Sequence, residues 1–138
     1  MPRKDTYHDD VRVALEKDGW TITDDPMRIR WEGSIYYPDL GAERFIAAEK
    51  NSEKIAIEIK TFGGDDFNSE FYSALGQYDT YTIAFSDIEP DRKVILAVSD
   101  DIFKSYFERK SVQKIIELKK ISIVIYNVKN QEIEKWIK

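Results

Sequence analysis

Two short, almost wholly apolar segments in the second half of the chain most constrain the fold: residues 94–98 (VILAV) and residues 121–126 (ISIVIY). Strands of this composition belong inside a sheet that is covered on both faces. Helical periodicity over residues 7–18, and over the stretch that begins near Asp66 or Asn68, predicts the covering helices. The sequence therefore predicts an α/β fold, a mixed central sheet flanked by helices.

The remaining elements follow from alternation and turn signals. We predict strands over residues 20–23, 27–31 and 35–40, then a hairpin of residues 45–49 and 54–61 around Asn51-Ser52. Thr6 is the predicted cap of the first helix, Ser99 or Asp100 caps a short later helix, and residues 112–118 form another. Residues 132–138 form a final edge strand. The order is α-β-β-β-α-β-α-β. With no repeat or linker, residues 1–138 are predicted to be one domain.

A helix face is expected where apolar side chains recur after Asp66. The residues predicted to line it are Phe71, Leu75, Tyr78, Thr82 and Phe85.

Composition excludes several classes of site. The chain has no Cys and one His, which removes disulfides, thiolate nucleophiles and zinc centres built from Cys or several His. Any metal site must use carboxylates and carbonyls, which favour Mg²⁺ or Mn²⁺. The net charge of −5 argues against loose, unaided nucleic-acid binding. With no apolar leader and no membrane-length apolar run, the protein is predicted to be cytoplasmic.

Asp39, Glu58 and Lys60 are the candidate catalytic residues. Alternation along residues 54–60 directs Glu58 and Lys60 to one face of a strand, while Ile59 points to the other. We expect Asp39 and Glu58 to hold a metal ion, with the Ile59 carbonyl and waters completing its shell. Lys60 would orient the attacking water or stabilise charge on a phosphate. The alternative is that these are surface charges on an amphipathic sheet.

The pattern Asp39…Glu58-x-Lys60, with Pro38 before Asp39, resembles the PD-(D/E)xK nuclease motif. Over nearly its whole length the chain is also similar to the XisH family of excision-controlling factors, linked to rearrangement of the fdxN element. The segments that carry this similarity are Lys4-Asp5-x-Tyr7-His8, Lys17-Asp18-Gly19-Trp20, Asp39-Leu40-Gly41-Ala42-Glu43, Ala47-Ala48-Glu49-Lys50, Leu75-Gly76-Gln77-Tyr78 and Trp136-Ile137. The resemblance implies a restriction-endonuclease-like core, a role on DNA and an XisI-like protein partner.

Three further residues are possible supports of the site. Gln77 and Tyr81 are four apart on one helix and resemble a Gln-x-x-x-Tyr signature that borders the site in some nucleases of this superfamily. The alternative is that Tyr81 packs in the core and Gln77 faces water. His8 falls near the position where related enzymes carry a metal-binding Glu. It would touch a metal, a water or a phosphate, or else simply be solvated.

Three functions remain open from the sequence. The first is a metal-dependent DNA endonuclease that acts in excision or rearrangement of a DNA element. The second is a catalytically silent accessory factor that binds an XisI-like partner or a recombinase. The third is a toxin-like nuclease that its partner restrains. The last strand also offers an edge through which copies of the chain could pair as a homo-oligomer.

Overall fold

The structure is a computed structural model that describes residues 7–46, 51–63 and 66–138. The elements, in chain order, are α1 (His8–Lys17), β1 (Thr21–Asp24), β2 (Ile29–Trp31), β3 (Ser34–Tyr36), β4 (Leu40–Ile46), β5 (Asn51–Ile59), α2 (Phe67–Ile88), β6 (Arg92–Ser99), α3 (Asp100–Ile102), a π-helix (Phe103–Phe107), α4 (Lys110–Lys119), β7 (Ile123–Asn127) and β8 (Glu132–Ile137).

The main sheet has six strands in the order β1-β4-β5-β6-β7-β8. The central strands β5, β6 and β7 are parallel, and the pairs β1–β4, β4–β5 and β7–β8 are antiparallel. The predicted mixed α/β architecture is thus confirmed, as is the edge position of β8. No helix in the described ranges is long and apolar enough to cross a bilayer.

Helices cover both faces of this sheet. On one face α1 packs its Val11 and Leu15 in a cluster with the isoleucines of β5. On the other face α2 packs with Ala56 and with Leu96 of β6. The alternation predicted for β5 is therefore confirmed: its isoleucines face α1, and the opposite set of side chains faces α2.

Helix α2 begins as predicted, with the Asp66 side chain accepting a hydrogen bond from the Asn68 backbone N–H at 3.1 Å. Its buried face differs from the prediction, because Tyr81 is buried and Thr82 is exposed. Thr82 instead turns its hydroxyl back to the Tyr78 carbonyl at 2.8 Å. The two positions are adjacent on the helix, so a face aligned with Phe71 and Tyr78 can include only one of them fully.

The hairpin prediction was wrong about the position of the turn. The antiparallel register runs from Leu40 opposite Ile57 to Ile46 opposite Asn51. Asn51 and Ser52 therefore pair within β5, because the ladder continues past them to residue 46. The connection falls on residues 47–50, which lie outside the described residues, as do Glu49 and the predicted cap Thr6.

The continuous strand predicted for residues 35–40 was also wrong. Strand β3 ends at Tyr36 and pairs only with β2, in a separate two-stranded sheet. Pro38 lies between the two sheets; it has no N–H for a ladder, and its carbonyl accepts from the Met27 backbone N–H at 2.9 Å. Asp39 consequently precedes β4 instead of ending an earlier strand.

Candidate active site

The antiparallel pairing of β4 with β5 brings Asp39 beside Glu58. Leu40 lies opposite Ile57, so the start of β4 meets the end of β5. The Ile59 backbone N–H donates to Asp39 Oδ2 at 2.7 Å. A hydrogen bond also joins the Asp39 backbone to the Glu58 carboxyl group. Two acidic side chains are thereby fixed at one end of the sheet by backbone contacts.

Glu58 is the most unusual group in this arrangement. The residue is only 6% exposed, on the strand face that α2 covers, and its Oε1 has no hydrogen-bond partner among the described residues. Burial and, after it, the negative charge of Asp39 raise the pKa of Glu58 from 4.5 to about 8, although Lys60 opposes the shift. A buried carboxyl group with an unbonded oxygen requires either a proton or a cation.

Lys60 connects this pair to solvent. Its Nζ lies 3.5 Å from Glu58 Oε2, and its backbone N–H donates to the Ala97 carbonyl in β6 at 3.2 Å. Lys60 also lines an open cavity of about 320 Å³ together with Thr61, Phe62, Glu70 and Ser73. Of the three predicted catalytic residues, Lys60 is the one that is found in the lining of this cavity.

Glu70 is a part of this cavity that the sequence reasoning missed. It lies on α2 seven residues before Gln77 and eleven before Tyr81, a spacing that puts all three on one helix face. The helical register of Gln77 and Tyr81 was the signal that could have found it.

Tyr81 lies in the electrostatic field of the acidic pair. Burial raises its pKa, and the negative charges of Glu58 and Asp39 add to the shift. The ring also meets Tyr36 edge-on, with 6.2 Å between ring centroids. Gln77 is half-buried, one helical turn earlier, and its Oε1 is shielded from water, with no hydrogen-bond partner in the part of the chain that the structure describes. Tyr81 thus both packs in the core and borders the site.

The structure contradicts the second of the two alternatives predicted for His8, a solvated side chain. It is 5% exposed, so it is not solvated. Its Nε2 lies 2.6 Å from Asp25 Oδ1, and Arg12 donates to Asp25 Oδ2, also at 2.6 Å. Helix α1 covers the sheet face opposite to that of the Glu58 side chain. His8 therefore fixes the loop after β1, and its described contacts do not reach Glu58.

A metal ion at this site would rest on few protein ligands. Within residues 7–46, 51–63 and 66–138, no three His, Cys, Asp or Glu side chains are close enough to hold one together. Asp39 and Glu58 supply two carboxylates, and Glu58 Oε1, which has no hydrogen-bond partner in the described ranges, is a hard oxygen donor. This donor set fits Mg²⁺ or Mn²⁺, because such ions are commonly held by one or two carboxylates, with water and substrate phosphate completing the shell.

Comparisons with known proteins agree with one another. The profile of the XisH protein family matches residues 1–134. A crystal structure of an XisH family protein from Nostoc punctiforme is 37% identical, with a TM-score of 0.87 over 97% of this chain and 100% of that one. A crystal structure of an fdxN element excision controlling factor protein from Anabaena variabilis is 36% identical, with a TM-score of 0.88 over 98% and 100%. No functionally curated protein matches the chain.

Proposed function

This chain belongs to the XisH family, and we propose that it is a metal-dependent DNA endonuclease of the PD-(D/E)xK type that acts in excision or rearrangement of a DNA element. The Anabaena variabilis relative is named an fdxN element excision controlling factor, which supports this biological setting. Asp39, Glu58 and Lys60 match the acid, acid and lysine of the nuclease motif in order and in spacing.

The observation that carries the proposal is the Glu58 carboxyl group. It is buried, one of its oxygens is unbonded, and it lies beside a second carboxylate and an ammonium group. Keeping a charge in such a place destabilises the fold, so a purely structural position would favour an apolar residue or Gln. A divalent cation held with Asp39 would offset both the burial of Glu58 and its repulsion from Asp39.

The residues divide the reaction between them. When bound, Mg²⁺ or Mn²⁺ lowers the pKa of a water and neutralises phosphate charge. Asp39 is oriented by the Ile59 backbone N–H, which donates to its Oδ2 at 2.7 Å. Lys60 reaches from Glu58 to the open cavity, where its ammonium group orients the attacking water or stabilises negative charge developing on the phosphate.

Cleavage assays on the purified protein test the proposal. Single-stranded, duplex and branched DNA are incubated with Mg²⁺, Mn²⁺ or EDTA, and we expect metal-dependent cleavage of at least one substrate. Asp39→Asn and Lys60→Ala should each lower the rate by at least about 100-fold, the scale of losing a group that acts on developing charge. Lys93→Ala is the matched control, because Lys93 is exposed near the start of β6, beside Ile55. Equal activity in all four proteins would assign the cleavage to a contaminant.

A second candidate is the catalytically silent accessory factor, which one surface of α2 favours. Tyr72 and Ile83 are 64% and 55% exposed, and their spacing of eleven residues aligns them on one stripe of the helix. An XisI-like protein or a recombinase would bind there. An XisI-like protein should then co-purify with the wild-type protein but not with the double variant Tyr72→Ser, Ile83→Ser. That result, together with no cleavage of any DNA, would favour this role over the nuclease.

A further inference from the structure

One stretch of this acidic chain is locally basic. Residues 104–120, which include all of the π-helix except its first residue and the whole of α4, contain six basic residues against two acidic ones, whereas the whole chain has a net charge of −5. The basic residues are Lys104, Arg109, Lys110, Lys114, Lys119 and Lys120. Among the described residues only Lys119 of these six forms an ion pair, with Asp79 at 3.0 Å. The stretch therefore presents a surplus of uncompensated positive charge.

Aromatic rings lie directly beside that charge. Tyr106 of the π-helix stacks on Phe67 of α2, with ring centroids 4.5 Å apart and an angle of 6° between the planes. The exposed Arg109 places its guanidinium carbon 5.0 Å from the Tyr106 ring centroid and 5.6 Å from that of Phe67. A half-exposed ring with a guanidinium group over it is a stacking surface for a planar base.

Two buried rings, Phe62 and Phe67, connect this surface to the candidate active site. Phe62 lines the same cavity as Lys60, and its ring lies 5.2 Å from that of Phe67. Phe62 also has a φ of +50°, a conformation that costs free energy for a bulky side chain. One ring, Phe67, thus separates the Phe62 wall of the cavity from Tyr106 and Arg109.

We propose that Tyr106, Arg109 and Lys110 form a binding surface for an unpaired DNA strand, which leads that strand to Lys60 and the carboxylates. The inference rests on the proposed nuclease function and specifies its substrate class. A base stacks on Tyr106 and the Arg109 guanidinium, and Lys110 contacts the adjoining phosphate. Paired bases inside a duplex cannot expose their faces to such a surface, so single strands or frayed ends are favoured.

Binding measured without cleavage tests this surface. Fluorescence anisotropy is recorded for the Asp39→Asn protein with labelled single-stranded DNA, and with duplex DNA and RNA of the same sequence and length. Single-stranded DNA should bind at least about tenfold more tightly than duplex DNA, and the RNA shows whether the surface also accepts a ribose strand. Adding Arg109→Gln should weaken that binding roughly tenfold. Arg109→Gln and Lys110→Gln together should lower the slope of log affinity against log salt by about 0.7 for each phosphate that the protein no longer neutralises.

Both substituted side chains are exposed, so the variants should fold, and Lys93→Gln controls for the loss of one positive charge elsewhere. Equal binding by Arg109→Gln and Lys93→Gln, or a preference for duplex DNA or RNA, would overturn the inference. Its failure is separable from that of the nuclease proposal. Cleavage with an unchanged KM in Arg109→Gln would refute only the binding surface, whereas specific single-strand binding without any cleavage would refute only the nuclease.

Discussion

The buried carboxyl group of Glu58 lowers the stability of the fold, and this cost indicates a functional role for the side chain. Its partners provide one backbone hydrogen bond and a lysine at 3.5 Å, which leaves Oε1 unbonded in a site from which water is excluded. Lys60 is the obvious neutralising partner, yet the net effect of the surroundings is still to favour the protonated acid. Burial and Asp39 outweigh Lys60, so the metal-free protein is expected to be destabilised by its own candidate site.

The raised pKa of Glu58 predicts that the stability of the metal-free protein falls as the pH rises. The pKa of Glu58 is about 8 in the fold and 4.5 as an ordinary value, so the folded state binds the proton more tightly. Stability attributable to this group is full below pH 4.5, declines as the pH rises towards 8 and stays low above it. Glu58→Gln lacks the titration and should be more stable than wild type at pH 9, by a few kcal/mol at most. Urea unfolding in EDTA at pH 6 and pH 9 measures the difference in stability between the two proteins. The same difference at both pH values would contradict the prediction.

The Tyr81 hydroxyl is predicted to contribute to cleavage more than to stability. Its hydroxyl lies in the field of Glu58 and Asp39, whereas its ring packs against Tyr36 in the core. Tyr81→Phe keeps the ring, so it should change the free energy of unfolding by less than about 1.5 kcal/mol, while it lowers the cleavage rate at saturating DNA. Tyr78→Phe is the matched control, because the Tyr78 hydroxyl accepts from the Ser122 backbone N–H at 2.9 Å and lies outside the site. Equal cleavage rates in the two variants would refute a role for the Tyr81 hydroxyl.

Among the helices and strands, the sequence predicted well those features that depend on contacts between residues close together in the chain. Alternation in β5 was fixed by its isoleucines, because a slip of one residue would turn all three to the α2 face and turn Glu58 and Lys60 into the apolar cluster under α1. The start of α2 was fixed by Asp66, whose cap is a contact within three residues. The break between β3 and β4 was not predictable, since it depends on β3 pairing with β2 in a second sheet. The burial of Glu58 and the His8–Asp25 pair likewise depend on tertiary packing, between residues that local patterns do not relate.

Two glycines allow the packing of these elements to be tested by the same substitution. A Cβ on Gly41 in β4 would meet Asp24 Oδ2 at 2.8 Å and Met27 Sδ at 3.1 Å, whereas one on Gly76 in α2 would meet no atom within 4 Å. Gly41→Ala should therefore destabilise the fold by about 1–3 kcal/mol. Gly76→Ala should stabilise it by roughly 0.5–1 kcal/mol, because Ala has the higher helix propensity. Chemical denaturation provides both values, and a loss of stability in both variants would show that α2 is packed more tightly around Gly76 than the structure has it.

For the whole molecule, the site lies where the two sheets meet helix α2. Asp39 comes from the crossing between the two sheets, Glu58 from a central strand, and Tyr81 from the helix that covers it. A ligand at this point therefore ties together elements that are distant in the chain. Binding of a cation to the folded state alone must raise the stability of the entire fold, by an amount that grows with its concentration relative to Kd.

We expect a divalent cation to raise the free energy of unfolding of the protein. Adding Mn²⁺ at about 100 times its Kd should stabilise the wild-type protein by about 2.7 kcal/mol, and the melting temperature should keep rising with concentration. Asp39→Asn and Glu58→Gln should show little of this shift, since each removes one of the two carboxylates. Asp91→Asn is the matched control, because Asp91 is an exposed carboxylate that precedes β6 and pairs with Lys54 at 3.7 Å. Differential scanning calorimetry with Mn²⁺ and with EDTA measures the shift. An equal shift in all four proteins would place the cation elsewhere on the surface and remove the metal from the proposed reaction.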